Sequence, residues 1–175
     1  MTSKPVEACF RYCPRCSTEN PESGAVPFRC VECGYAQFFG PVAAVGGLVC
    51  NEAGQLLLVR RARNPGLGKW GLPGGFVDRN ETIEEALARE VLEETNLHLA
   101  ESSYLMSGPN HYDYCDMLSP VIDLFYVCRV EHPERIKLAE DELDHYIWTK
   151  PTSEHLDQMA FPSNRTAILH WLDVN

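Results

Sequence analysis

The chain has 175 residues, 45% of them hydrophobic, which is enough for a sizeable buried core, and it holds no apolar run long enough to span a membrane. Its 25 acidic residues outweigh 15 basic ones, and the formal charge of −10 excludes electrostatic attraction to nucleic acid or an anionic bilayer. With no charged-then-apolar leader at the N-terminus, the expected setting is the cytoplasm, where cysteines stay reduced.

Four of the eight cysteines stand in two knuckles, Cys13-Pro-Arg-Cys16 and Cys30-Val-Glu-Cys33. Paired C-x-x-C spacings place four thiolates around zinc, and a set filled by four cysteines leaves no open position, so this metal is expected to be structural. A redox pair is the competing reading, but that requires a C-x-x-C opening a helix. Gly34 and the Pro/Glu/Ser/Gly-rich loop between the knuckles suit a zinc ribbon folded by its metal over residues 1–38. Lys4, Arg11, Arg15 and Arg29 balance Glu7, Glu19, Glu22 and Glu32, so the ribbon carries no footprint for DNA or RNA. Cys9, Cys50, Cys115 and Cys128 lack sequence partners and are read as small buried apolar residues.

Residues 39–175 form the second domain, beginning at the Phe38-Phe39-Gly40-Pro41 junction. Val42–Cys50 and Gln55–Ala62 read as strands around an Asn-Glu-Ala-Gly turn. From Arg63 to Gly75 the chain is loop, ending in a short strand at Phe76 and Val77. Gly66-Leu-Gly-Lys-Trp-Gly71 matches G-x-G-x-x-G, yet Pro73 and two more glycines follow instead of a helix, so a dinucleotide fingerprint is set aside. Arg60, Arg61, Arg63 and Lys69 flank this loop and are candidates for holding phosphates or ribose, the alternative being solvated surface charge.

The segment Thr82–Thr95 lacks Gly and Pro, and Ile83, Ala86, Leu87 and Val91 recur at helical spacing. At 100° per residue Glu90, Glu93 and Glu94 fall within about a 100° arc that overlaps this apolar stripe. Like charges at i,i+3 and i,i+4 repel, carboxylates oppose the dipole at a helix C-terminus, and buried anions need partners. Chains bear such costs mainly at functional sites. Clustered carboxylate oxygens attract magnesium or manganese, which keep positions for water and phosphate, so the segment points to metal-assisted phosphoryl chemistry rather than to a solvated acidic face.

Beyond the helix, Val121–Val130 is a near-continuous apolar strand and Tyr146–Trp148 another. Ser153–Met159 and Ser163–Leu172 read as helices, each opened by a serine cap. Strands flanked by helices imply an α/β fold with one sheet between helical layers.

Gly75, Glu81, Arg89, Glu90, Val91, Glu93, Glu94 and Leu97 match the signature of the Nudix hydrolases, with Asn96 in place of its final glycine. Asn is the next-best left-handed helix cap, so that departure is physically mild. The resemblance implies an α/β/α sandwich with a mixed sheet over residues 42 to about 150, preceded here by the small zinc ribbon. It implies that Glu90, Glu93 and Glu94 bind catalytic Mg2+ or Mn2+, that Glu93 or Glu90 activates water, and that Arg89 pairs with Glu81. A further carboxylate from outside the signature is chosen among Glu140, Asp141 and Glu142, with Glu142 preferred. The implied reaction is hydrolysis of a diphosphate linkage.

A ribbon ahead of such a domain resembles the NADH pyrophosphatases, but their Ser-Gln-Pro-Trp-Pro-Phe-Pro element is replaced here by Gly108-Pro-Asn-His-Tyr-Asp-Tyr-Cys. ADP-ribose or a related nucleoside diphosphate derivative is therefore at least as good a substrate as NAD(H). Tyr112 stands about where relatives acting on dinucleoside polyphosphates place a tyrosine, which keeps that hydrolase as an alternative. Trp70, Tyr112 and Phe39 are stacking candidates, with core packing the competing explanation. A second alternative is a non-catalytic nucleotide sensor or adaptor using the ribbon. The resemblance also admits a homodimer through the ribbon and the Phe38-Phe39 junction.

Overall fold

A computed structural model describes residues 3–174 of the chain, which divide into two compact units. The first runs to Val42 and takes in His111–Val121; the second comprises Ala43–Asn110 and the chain from Ile122 onward.

In the first unit, β1 (Lys4–Pro5) pairs in parallel with Met117–Leu118, and β2 (Phe28–Arg29) pairs antiparallel with β3 (Ala36–Gln37). The two cysteine knuckles make the same turn. Ser17 N–H donates to the Cys13 carbonyl at 2.8 Å and Gly34 N–H to that of Cys30 at 3.1 Å, and both Ser17 and Gly34 have positive φ. A small core gathers Cys13, Phe28 and Cys30, with Phe10, Tyr35 and Phe39 around them. Phe39 stands edge-on to Phe10 at 4.7 Å, so it packs with the ribbon rather than stacking on a base.

The second unit is built on β5 (Leu56–Arg61), β6 (Trp70–Gly71), α1 (Ile83–Thr95), β9 (Leu143–Thr149), α2 (Ser153–Asp157) and α3 (Pro162–Val174), with most of β4 (Val42–Cys50), β7 (His98–Tyr114) and β8 (Met117–Glu131), whose residues Val42 and His111–Val121 fall in the first unit. Strands β8, β4, β5 and β6 lie side by side, with β7 on β8 and β9 antiparallel on β5. Both faces of this sheet are covered. Leu57 and Val59 face one core with Val45 and Val49, under Ala86, Leu87 and Val91 of α1. Leu56 and Leu58 face the other with Leu48 and Phe125, under Leu156, Ala167, Ile168 and Trp171 of α2 and α3. That two-faced burial explains why β5 reads as an unbroken apolar run, and each such side chain contributes about 1.5–3 kcal/mol.

Several elements differ from the sequence reading. The 17-residue strand β7 was not expected, because its residues are mostly exposed and include Gly108 and Pro109. It pairs only with β8 among the described strands, and proline is tolerated at such an edge. The short strand of the loop forms at Trp70–Gly71 instead of Phe76–Val77, where only an Ala44–Phe76 bridge is found. Its partners come from distant parts of the chain: β5, and the Gln158 and Ala160 backbone. Thr152, not Ser153, caps α2, and α3 starts at Pro162, leaving Ser163 buried inside the helix. Cys128 is buried and Cys50 half-buried, but Cys9 and Cys115 are exposed.

Candidate active site

The helix α1 is delimited by its own side chains. Thr82 and Glu85 form a reciprocal capping box at its start, and Asn96 closes it in the left-handed conformation with φ 59° and ψ 22°. With both ends set, Glu94 is buried, Glu90 nearly so, and Glu93 stands 61% exposed. The loop before the helix is zipped to β4: Gly47 N–H donates to the Pro73 carbonyl, Val45 N–H to that of Gly75 and Val77 N–H to that of Ala43. This close approach requires Gly74, at φ +149°, where a Cβ would fall 2.1 Å from the Val45 carbonyl oxygen. At Gly75 a Cβ would come within 2.5 Å of the Glu90 carboxylate.

The two glycines therefore let the backbone meet the acidic face of α1. Gly74 N–H donates to Glu94 Oε2 at 2.9 Å. Arg89 ties loop and helix together, with a bidentate pair to Glu81 at 2.8 and 2.9 Å, and bonds to the Phe76 carbonyl, Glu90 Oε1 and Glu93 Oε2. Those bonds from Arg89, with the Asp78 amide, hold the Glu81 carboxyl down to about 2, and the surrounding acids raise the Arg89 guanidinium further.

The inner carboxylates behave oppositely. Burial pushes Glu94 up to about 8, against the Gly74 amide, and the charges of Glu90 and Glu142 add to the rise. Burial also raises Glu90, opposed by Arg89 and reinforced by Glu93 and Glu142. Glu142 is thus part of the same field. The turn carrying it is pinned from both sides, because Ala139 N–H donates to the Glu94 carbonyl at 3.1 Å and Ala62 N–H to the Glu142 carbonyl at 2.7 Å.

Glu81, Arg89, Glu90, Glu94 and Glu142 therefore gather at one place, with Glu93 at the solvent side. Of the basic candidates, Arg63 pairs with Glu142 at 2.6 Å, Arg60 with Asp144 at 2.7 Å, and Arg61 bonds the Pro65 carbonyl, lies 5.2 Å over Phe161 and is felt by Glu94. Lys69 is exposed, its backbone closing the turn with Gly66 and Arg61. Tyr112 belongs to the other unit, stacked on Tyr114 at 6.4 Å. Trp70 is half-buried between His145 and His155, at 6.1 and 6.2 Å. The Gly74 amide as partner of Glu94 was missed from sequence, although two adjacent glycines ahead of an acidic helix are the signal for a close backbone approach.

Two metal centres can be tested against these donors. Inner carboxylates whose ionisation is opposed by burial and by one another fit a divalent cation. Among the described residues only the cysteines bring three or more ligand atoms within 4.8 Å of one another; the carboxylates do not. In the first unit, all four Sγ atoms of Cys13, Cys16, Cys30 and Cys33 lie within 4.8 Å of one another, with Cys13–Cys33 at 3.7 Å and Cys16–Cys30 at 3.6 Å. A tetrahedron with zinc–sulfur bonds of about 2.3 Å has edges of about 3.8 Å, so donor set and spacing fit zinc. Bonding to the Thr18 hydroxyl and amide holds Cys16 down to about 6, whereas Cys33, against the Tyr35 amide, is raised to about 12 by desolvation and the neighbouring thiols, so the four thiols do not ionise alike.

A sandwich with this helix and loop defines a class, and the chain belongs to the Nudix family: the NUDIX domain matches residues 40–172. Its relatives include an ADP-ribose pyrophosphatase of Methanocaldococcus jannaschii, 44% identical over 36% of this chain and 37% of that protein. The nucleoside diphosphate-linked moiety X motif 6 of Xenopus laevis is 31% identical over 71% of this chain and 54% of its own, and the NAD-capped RNA hydrolase NudC of Haemophilus influenzae 27% over 79% and 50%. The chain thus spans about a third to a half of the length of these relatives. Among solved structures, a MutT protein of Methanosarcina mazei is similar with a TM-score of 0.60 and 29% identity, over 77% of this chain and 96% of that one. A MutT NUDIX hydrolase of Burkholderia pseudomallei gives 0.60 and 26%, over 75% and 98%. Among the described residues no helix is long and apolar enough to cross a membrane.

Proposed function

We propose that the protein is a divalent-metal-dependent hydrolase of a diphosphate linkage in a nucleoside diphosphate derivative such as ADP-ribose or NAD(H). The observation that carries this reading is the pair of inner carboxylates, Glu90 and Glu94, pressed against the Gly74-Gly75 backbone where burial opposes their ionisation, in Glu90 even against the Arg89 guanidinium. Glu90, Glu94 and Glu142, with Glu93 from the solvent side, would hold Mg2+ or Mn2+. The cation supplies neutralisation of the diphosphate and a more acidic bound water. Glu93, the most exposed of the set, would leave its bond to Arg89 to turn towards a water and accept its proton; Glu90 is the other candidate base. Arg89 and Glu81 keep loop and helix in register. Arg61, Arg63 and Lys69 line the same loop with positive charge for the phosphates, and Arg60 stands beside them.

The substrate class is supported by the relatives named for ADP-ribose and NAD-capped RNA, within the limit of the length they share with this chain. A small nucleotide suits a chain of charge −10 better than a polyanionic partner. Zinc in the Cys13, Cys16, Cys30 and Cys33 cluster holds the ribbon together, and cysteines that remain free agree with a cytoplasmic setting. The test is turnover with magnesium across ADP-ribose, NADH, NAD, diadenosine polyphosphates and nucleoside triphosphates, read as phosphate released from monophosphate products. Glu93→Gln should lower the preferred rate by about 10²-fold while the fold persists. Silence across the panel with intact metal binding would replace the hydrolase by a nucleotide sensor.

A further inference from the structure

Arg63 and Glu142 form a short ion pair of 2.6 Å at the edge of the carboxylate cluster, with the arginine 56% and the glutamate 31% exposed. The backbone beneath Glu142 is fixed by bonds to Ala62 and Ala139, so its carboxylate can change partner without moving the chain. Arg63 itself stands two residues beyond the end of β5, at the entry to the glycine-rich loop. Its neighbours are otherwise engaged: Arg60 with Asp144, and Arg61 with the Pro65 carbonyl. A guanidinium matches carboxylate and phosphate with the same planar fork, so the group now on Glu142 is chemically equipped to take a phosphate oxygen.

We propose that Arg63 is an exchangeable counter-ion. Before substrate binds it neutralises Glu142 and competes with the divalent cation for that carboxylate; when substrate arrives it passes to a phosphate and leaves Glu142 to the metal. The exchange couples completion of the metal site to the presence of a phosphate. It also limits the negative charge beside Glu90 and Glu94, both of which feel Glu142. Arg63 is thus a substrate-binding and metal-positioning residue rather than surface decoration. This rests on the reading of Glu142 as a metal ligand.

The experiment is a Mn2+ titration by electron paramagnetic resonance on the full chain without substrate, paired with steady-state kinetics. The proteins compared are wild type, Arg63→Ala, Arg63→Lys, Glu90→Gln, Glu142→Gln and the Arg63→Ala/Glu142→Gln double variant. Arg63→Ala should bind Mn2+ about two- to fivefold more tightly, the range set by an exposed ion pair. Its KM for the diphosphate should rise about tenfold. Arg63→Lys should recover part of the KM. In the Glu142→Gln background Arg63→Ala should leave Mn2+ affinity unchanged yet still raise KM. Unchanged or weaker Mn2+ binding by Arg63→Ala, where Glu90→Gln abolishes it, overturns the exchange while leaving the metal site standing. Absence of Mn2+ binding in wild type overturns the site reading and the exchange with it. Equal affinities of Arg63→Ala and the Arg63→Ala/Glu142→Gln double variant remove Glu142 alone as a ligand, and the exchange falls for that reason.

Discussion

Glu94 offers the sharpest quantitative consequence of the site. Its carboxyl is buried and its titration is pushed from 4.5 up to about 8, mainly by that burial. A carboxyl raised in the folded state stabilises the fold fully below its unfolded pKa, and this contribution is lost as pH rises towards the folded value. Holding the anion inside the metal-free protein at pH 8 therefore costs on the order of 4 kcal/mol, at about 1.4 kcal/mol per pH unit between 4.5 and 8. Glu94→Gln keeps an oxygen to accept the Gly74 N–H and removes the charge. In protein dialysed free of magnesium, without a chelator that would attack the cysteine cluster, the variant should melt at about the same temperature as wild type at pH 5. At pH 8 it should melt on the order of 10 °C higher. Magnesium should narrow the gap by stabilising the wild-type anion alone. Calorimetry at pH 7 in buffers of different ionisation enthalpy should show release of about one proton per wild-type molecule on binding. A melting difference that stays flat from pH 5 to 8 would refute the argument, because Glu94 would then be an anion already compensated within the fold.

Other consequences follow from single contacts. Arg89→Ala removes the guanidinium shared by Glu81, Glu90, Glu93 and the Phe76 carbonyl, so kcat/KM should fall by about 10²-fold or more, and Arg89→Lys should not restore it because an ammonium lacks the bidentate fork; full activity of the lysine variant would contradict this. Gly74→Ala drives a Cβ to 2.1 Å from the Val45 carbonyl and should destabilise the second unit by on the order of 3 kcal/mol, read as a lower urea midpoint. Stripping metal from the cysteine cluster should open the 13–33 segment to protease while the second unit, with its two cores, keeps its far-ultraviolet signal. One zinc per chain, lost in Cys30→Ser, is the accompanying stoichiometry.

Much of the site was legible in the sequence because its determinants are local. The α1 boundaries follow from Thr82, Glu85 and Asn96 through short-range hydrogen bonds, and the helical repeat alone places the three glutamates along one side. The cysteine knuckles are local in the same sense, each closing on a residue four positions on. Strand β7 was not legible, since a mostly exposed edge strand carries no apolar alternation and its pairing, among the described strands, is with β8. Nor was the strand at Trp70–Gly71, whose hydrogen bonds come from β5 and from the backbone near Gln158.

The division between the three glutamates shows where the boundary falls. Spacing sets Glu90, Glu93 and Glu94 on one arc, but which of them is buried depends on what the arc meets. The Gly74-Gly75 backbone and the turn pinned between Ala62 and Glu94 cover two and leave Glu93 to solvent. Periodicity and capping are properties of a segment, so the sequence by itself determined the helix, the arc of its three glutamates and the family. Burial, pKa and the choice of Arg63 and Glu142 as partners depend on residues far apart in the chain, and only the tertiary structure decided them.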